Sequence, residues 1–275
     1  MNVFGVLVNG IDLSILDGST VQNCTVTTAG SYGIVADSVS NSTAQNTGNS
    51  AILANNAINS TGSSNANHGV QVTTAMNCRG TATGASNAGH GIAANTASNC
   101  YGTSAGSGNG VDTDGAANSC VGIASGSGFG VHSTHVATNC QGTSNSVGVF
   151  GEELVTGCAG TGSTGIFSYT NVSNSYGVGT GTGINCSGAF FSQGSCSSGG
   201  TFGIECDMAI GCLGYNTSGY GIYTSGSGSV VAFSLARGSS FAVEADIIYA
   251  SAVIIPGGSL VGHQYFCGSG ANPYP

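Results

Sequence analysis

Gly91-Ile92-Ala93-Ala94-Asn95-Thr96-Ala97-Ser98-Asn99-Cys100-Tyr101-Gly102-Thr103-Ser104 is followed, after a short turn, by Gly110-Val111-Asp112-Thr113-Asp114-Gly115-Ala116-Ala117-Asn118-Ser119-Cys120-Val121-Gly122-Ile123-Ala124. Both stretches place a small residue before Ile or Val, a Cys nine or ten residues on, and a Gly two residues after the Cys. The same small-residue pair recurs at Gly33-Ile34, Ala51-Ile52, Gly69-Val70, Gly130-Val131, Gly148-Val149, Gly165-Ile166, Gly183-Ile184, Gly203-Ile204, Gly221-Ile222 and Ala242-Val243. Spacings run from 17 to 22 residues with a mean of 19. A fixed period of this length is the signature of a solenoid.

A second ladder reads Ser42, Ser60, Cys78, Cys100, Cys120, Cys140, Cys158 and Ser175, with Cys212 after a less regular coil, and Asn commonly precedes it. One such unit is too short and too polar to bury anything alone. Stacked, the units give three short parallel strands per coil, with Ile, Val, Ala and Cys pointing inward. Coils then repeat at the interstrand distance of roughly 4.8 Å. Asn or Gly supplies the left-handed backbone at corners. All three prolines, Pro256, Pro273 and Pro275, lie near the C-terminus, as expected if every earlier strand donates to a ladder. The expected fold is all-β: one right-handed parallel β-helix of about thirteen coils over residues 1–255, with 256–275 as a tail or cap folded over the last coil. Handedness follows from the rule for parallel crossovers.

Composition narrows the function. Of 275 residues only 13 are charged, 2 Arg and 11 Asp or Glu, for a net charge of −9. Arg79 and Arg237 cannot neutralise a phosphate backbone, which argues against nucleic acid, and no apolar run is long enough to insert into a membrane. A hydrophobic content of 40% argues against disorder. Met1 to Phe4 enter the repeat at once, without leader or cap, so a missing or partner-covered N-terminal end is expected.

The N-C-x-G-x-S and G-I-x-A cadence resembles the pectate-lyase-like right-handed β-helix superfamily, in particular Gly- and Cys-rich repeat proteins of environmental bacteria. The resemblance covers about residues 5 to 250. It implies architecture and a secreted or surface location, while the activity stays open, because this fold hosts lyases, hydrolases, tailspikes and adhesins. Gly89-His90-Gly91 resembles the G-H-G element of polygalacturonases, and Asp112-Thr113-Asp114 their paired aspartates. The order departs from that family, and no basic residue is present to hold a uronate. Asn67-His68-Gly69 has the same phase, so His90 reads as a corner residue.

Positions two and four residues after each small anchor point outward. These 24 positions hold 8 of the 11 acids, so one strand face is acidic and aromatic. Asp112, Asp114, His132 and Glu152 form its sharpest constellation, and carboxylates two coils apart would stand roughly 9 to 10 Å apart, near the span of an inverting glycosidase. Phe150, Phe167 and Tyr169 could stack on sugars, joined by Glu205, Asp207 and Tyr223. Glu205 with Asp207, and Glu244 with Asp246, offer hard oxygens to Ca²⁺, although no metal site or other cofactor is read from the motifs. The cysteines read as small buried hydrophobes, with a bridge from Cys267 to the tail as an alternative.

The first expectation is a non-enzymatic rod whose partner is a polysaccharide or cell-surface glycan. The alternatives are a glycoside hydrolase using Asp112, Asp114, Glu152 and His132, and a purely structural fibre repeat that forms a homo-oligomer.

Overall fold

The structure, a computed structural model, describes residues 1–6, 8–14, 17–84, 88–197, 199–249, 251–253, 259–261 and 264–266. The rest of the expected tail, with Cys267, lies outside the described residues. Two compact units divide the chain, Met1–Ser146 and Val147–Pro275. Each is a parallel β-solenoid with turns of about 18 residues, as in the pairing of Ile34 with Ile52 in the first unit and Ile204 with Ile222 in the second. Among the described residues there is no helix, so none is long and apolar enough to cross a membrane.

The anchors stack in register. In the first unit Ile34, Ile52, Val70, Ile92, Val111 and Val131 pair in succession. Ile11 precedes them as a further rung opposite Ile34. In the second unit the column is Val149, Ile166, Ile184, Ile204, Ile222 and Val243. All twelve anchors from Ile34 to Val243 have 0% exposure. Each buried branched side chain contributes at most about 1.5–3 kcal/mol. Stability therefore accumulates coil by coil rather than in one large core.

Three separate strands per coil were expected. The first unit instead often runs the first two together, as in Ile52–Ile58, which pairs with Val70–Met76 on either side of residue 55. The bend there is shallow enough for the strand to continue through it. The bore is closed by glycine: a Cβ on Gly102 would lie 1.9 Å from the carbonyl oxygen of Gly110. The same rung is glycine from Gly62 to Gly214, while Val26, Ala44 and Ala236 fill it in the outer coils.

The second ladder turns the chain. The residue before each rung adopts a left-handed backbone, with φ between 48° and 54° at Asn23, Asn41, Asn59, Asn77, Asn99, Ser119, Asn139 and Asn174. Asn tolerates this region best among residues with a side chain. Its amides also form a ladder, with Asn59 Nδ2 donating to Asn41 Oδ1 at 3.2 Å and Asn77 Nδ2 to Asn59 Oδ1 at 3.1 Å. The rung side chain then donates back across the corner: Ser60 Oγ to the Ile58 carbonyl at 2.9 Å and Cys78 Sγ to the Met76 carbonyl at 3.3 Å. Ser and Cys interchange there because both are small and both donate. Ser192, Ser234 and Ser251 continue the rung in the second unit, each donating to the carbonyl two residues earlier. The ten described cysteines are thiols.

Candidate functional site

In the first unit, Asp112 and His132 occupy the same outward position on successive coils and pair in register. Asp112 Oδ1 lies 2.7 Å from His132 Nδ1 and accepts from Asn109 Nδ2 at 2.6 Å. His90 Nε2 faces the other oxygen, Oδ2, at 3.6 Å. Burial raises the pKa of Asp112, but the His132 hydrogen bond, the nearby His90 and the Asn109 amide outweigh it and hold the carboxyl below its ordinary value. That is the opposite of what a general acid needs. Asp114 is exposed beside this group, and its backbone carbonyl accepts from Thr134 Oγ1.

The structure adds residues that the corner reading of His68 and His90 missed. His68 Nδ1 accepts the backbone N–H of His90 at 3.0 Å, and His90 Nδ1 accepts that of Asn109 at 2.8 Å. Asn109 Oδ1 accepts that of Phe129 at 2.7 Å. Each residue immediately before the small anchor thus caps the N–H of its successor, and Phe129 stacks on His132 at 5.4 Å. These acceptor roles require the neutral rings of His68 and His90 to carry their proton on Nε2. The shared phase before Gly69, Gly91, Gly110 and Gly130 was the available signal.

In the second unit, Phe150 and Phe167 stack with centroids 5.3 Å apart, and Tyr169 stands edge-on to both. Phe150 is 7% exposed, packed beside Phe167 on the neighbouring coil, so it offers almost no face to a sugar; Tyr169 is 61% exposed. Phe167, Tyr169, Asn185, Ser187, Glu205 and Asp207 line one groove of about 230 Å³. Asn185 Nδ2 donates to Glu205 Oε2 at 2.7 Å, and burial pushes the Glu205 carboxyl above its ordinary value. Tyr223 sits opposite Glu205 in register and stacks on Phe202 at 4.7 Å. Phe202, Tyr220 and Phe241 form a further aromatic column in the phase that holds the histidines in the first unit. Glu152 is half-buried and belongs to this second unit.

Among the described residues, no group of three or more His, Cys, Asp or Glu is arranged to hold a metal ion. The Asp246 carboxylate, expected as a cation ligand, accepts the backbone N–H of Gly228 at 2.5 Å. No protein-family model, curated protein or solved structure matches the chain. Fold and faces define its class as a parallel β-solenoid.

Proposed function

We propose that this solenoid is a right-handed, pectate-lyase-like rod at the cell surface or outside the cell. It holds a polysaccharide or cell-surface glycan along its acidic and aromatic face without cleaving it. The observation that carries this reading is the groove of about 230 Å³ that Phe167 and Tyr169 line together with Glu205 and Asp207. Aromatic rings present flat apolar area to sugar faces, and carboxylates accept hydrogen bonds from hydroxyls.

A glycoside hydrolase is the second reading, favoured by the burial-raised carboxyl of Glu205 beside Asp207 in the same groove. Retention and reducing-end release, measured together across neutral and acidic polysaccharides, separate the two. Retention of wild type without release supports the holding rod. Release that disappears in Glu205→Gln supports the hydrolase, and neither signal rejects both.

A further inference from the structure

Two corners of the second unit break the Asn rule. Phe191 and Phe233 both have φ of 49°, in the left-handed region where a bulky side chain costs roughly 1–2 kcal/mol. Little burial inside the unit offsets that cost, because the two residues are 67% and 63% exposed. Gly211, on the coil between them, is also left-handed, and a Cβ there would lie 2.6 Å from Cδ1 of Phe191. The Phe191 ring therefore lies across the glycine, and the Phe233 ring meets Tyr249 edge-on at 5.4 Å.

These corners border an apolar sheet face. On the second strand of successive coils, Met208, Val230 and Ile247 pair in one outward column. Phe190, Ile210 and Tyr249 stand in the other, in register with the buried Ala232. No charged residue stands in either column. The equivalent columns of the first unit are more polar, with Ser38, Asn56, Thr74 and Thr96 leading to Ala116 and Val136 in one, and Ser40, Ser98, Asn118 and Thr138 flanking the exposed Ile58 and Met76 in the other.

We propose that this face, rimmed by Phe191 and Phe233, docks a second copy of this chain. Three observations select that occupant. The face repeats at the rung spacing of roughly 4.8 Å, a period that another copy matches side chain for side chain. Two rings at about two-thirds exposure leave roughly 200–300 Å² of apolar surface. Together with the exposed Met208 and Tyr249 they reach roughly 400–500 Å², close to the half share of the ~1,000 Å² that a specific interface needs. The absence of charge lets two copies of an acidic chain meet without like charges opposing each other. Because the same face is used on both copies, the contact is isologous and closed, giving a dimer rather than a fibre. Sugar hydroxyls would find almost no polar partner here, so this surface is separate from the glycan groove and goes beyond that reading.

The test is the mass of the full chain by sedimentation over a roughly hundredfold concentration range, where mass action drives association. Wild type is expected to move from one copy of 26.6 kDa to two. The double variant Phe191→Asn, Phe233→Asn is expected to remain a single copy while melting higher, since Asn occupies the same backbone at other corners. Val230→Thr with Ile247→Thr provides a second route to a monomer without touching the corners, and Tyr169→Ala is expected to dimerise as wild type does. A wild type that stays monomeric throughout, that grows past two copies, or whose dimer survives both double variants overturns the proposal.

Discussion

The imidazole of His68 accepts the backbone N–H of His90 through Nδ1 at 3.0 Å, and the two rings stack with centroids 5.0 Å apart and planes within 4°. Both rings are built into a ladder that uses the neutral form. Protonation at Nδ1 removes the acceptor and sets two cations against each other.

Acidification is therefore expected to weaken the first unit. Burial, then the neighbouring His90, pushes His68 down to about 4, and burial likewise lowers His90. The unfolded chain takes up these protons near pH 6.5, before the folded one does, so stability is full above that pH and falls as pH drops towards 4. For His68, which is partly solvated, the loss is about 1–2 kcal/mol. Asp112, held low, contributes only to a further loss below its unfolded value of 3.8. Thermal melts between pH 7.5 and 4 in roughly half-unit steps check this. His68→Asn keeps an acceptor, as Asn109 does, and should flatten the slope; an unchanged slope would exclude His68 as its source.

Asp112→Asn should cost about 1–3 kcal/mol, because an amide cannot accept from Asn109 and His132 while also facing the His90 Nε2–H. Asp114→Asn, on an exposed position of the same strand, should stay within about 0.5 kcal/mol of wild type. Urea midpoints measured side by side decide between them. Equal midpoints would mean that Asp112 is an ordinary surface acid.

At the corners, Asn59→Ala should destabilise by about 1–2 kcal/mol, since Ala both resists φ of 50° and breaks the amide ladder to Asn41 and Asn77. Asn59→Gly, which keeps the backbone but not the amide, should cost less. Equilibrium unfolding of the pair separates backbone strain from the ladder.

The buried thiols should resist alkylation in the folded protein. Cys100 is pushed up to about 12 by its shared hydrogen bond with Cys120 and by burial, so almost no thiolate exists at pH 8. Mass spectrometry after brief iodoacetamide treatment should find Cys78, Cys100 and Cys120 unlabelled until denaturant is added. Cys120→Ser should cost about 1 kcal/mol or less, because Ser60 shows the same corner bond, whereas Cys120→Val loses that donor and overfills the bore, at about 1–3 kcal/mol.

The fold was legible because a one-residue anchor, repeated with a constant phase, leaves little choice of packing. The anchors from Ile34 to Val243 share one phase in the sequence, and all are buried. The rung is legible wherever Cys or Asn-Ser marks it, Ser119-Cys120, Gly157-Cys158 and Gly211-Cys212 included. Phe191-Ser192 and Phe233-Ser234 are not legible as corners, because no propensity rule places Phe in a left-handed backbone. The histidine ladder escaped for a different reason: His68 and His90 stand in a corner phase, and their acceptor role exists only between coils. Phe150 could be placed on the right strand from sequence, but its burial depends on how the Phe167 and Tyr169 rings close over it. The acidic and aromatic face is visible in outline in the sequence, while the grouping of Asn185, Glu205 and Asp207 into one groove arises only when successive coils stack.

The most direct test of the central claim is affinity electrophoresis in native gels cast with each polysaccharide, where the chain's charge of −9 drives it to the anode. Wild type is expected to be retarded by one polymer class. Tyr169→Ala should weaken that retardation about tenfold, equivalent to about 1.4 kcal/mol, and Asp112→Asn should leave it unchanged. Retardation by no polymer, or equal retardation of wild type and Tyr169→Ala, would contradict the assignment of the groove to glycan.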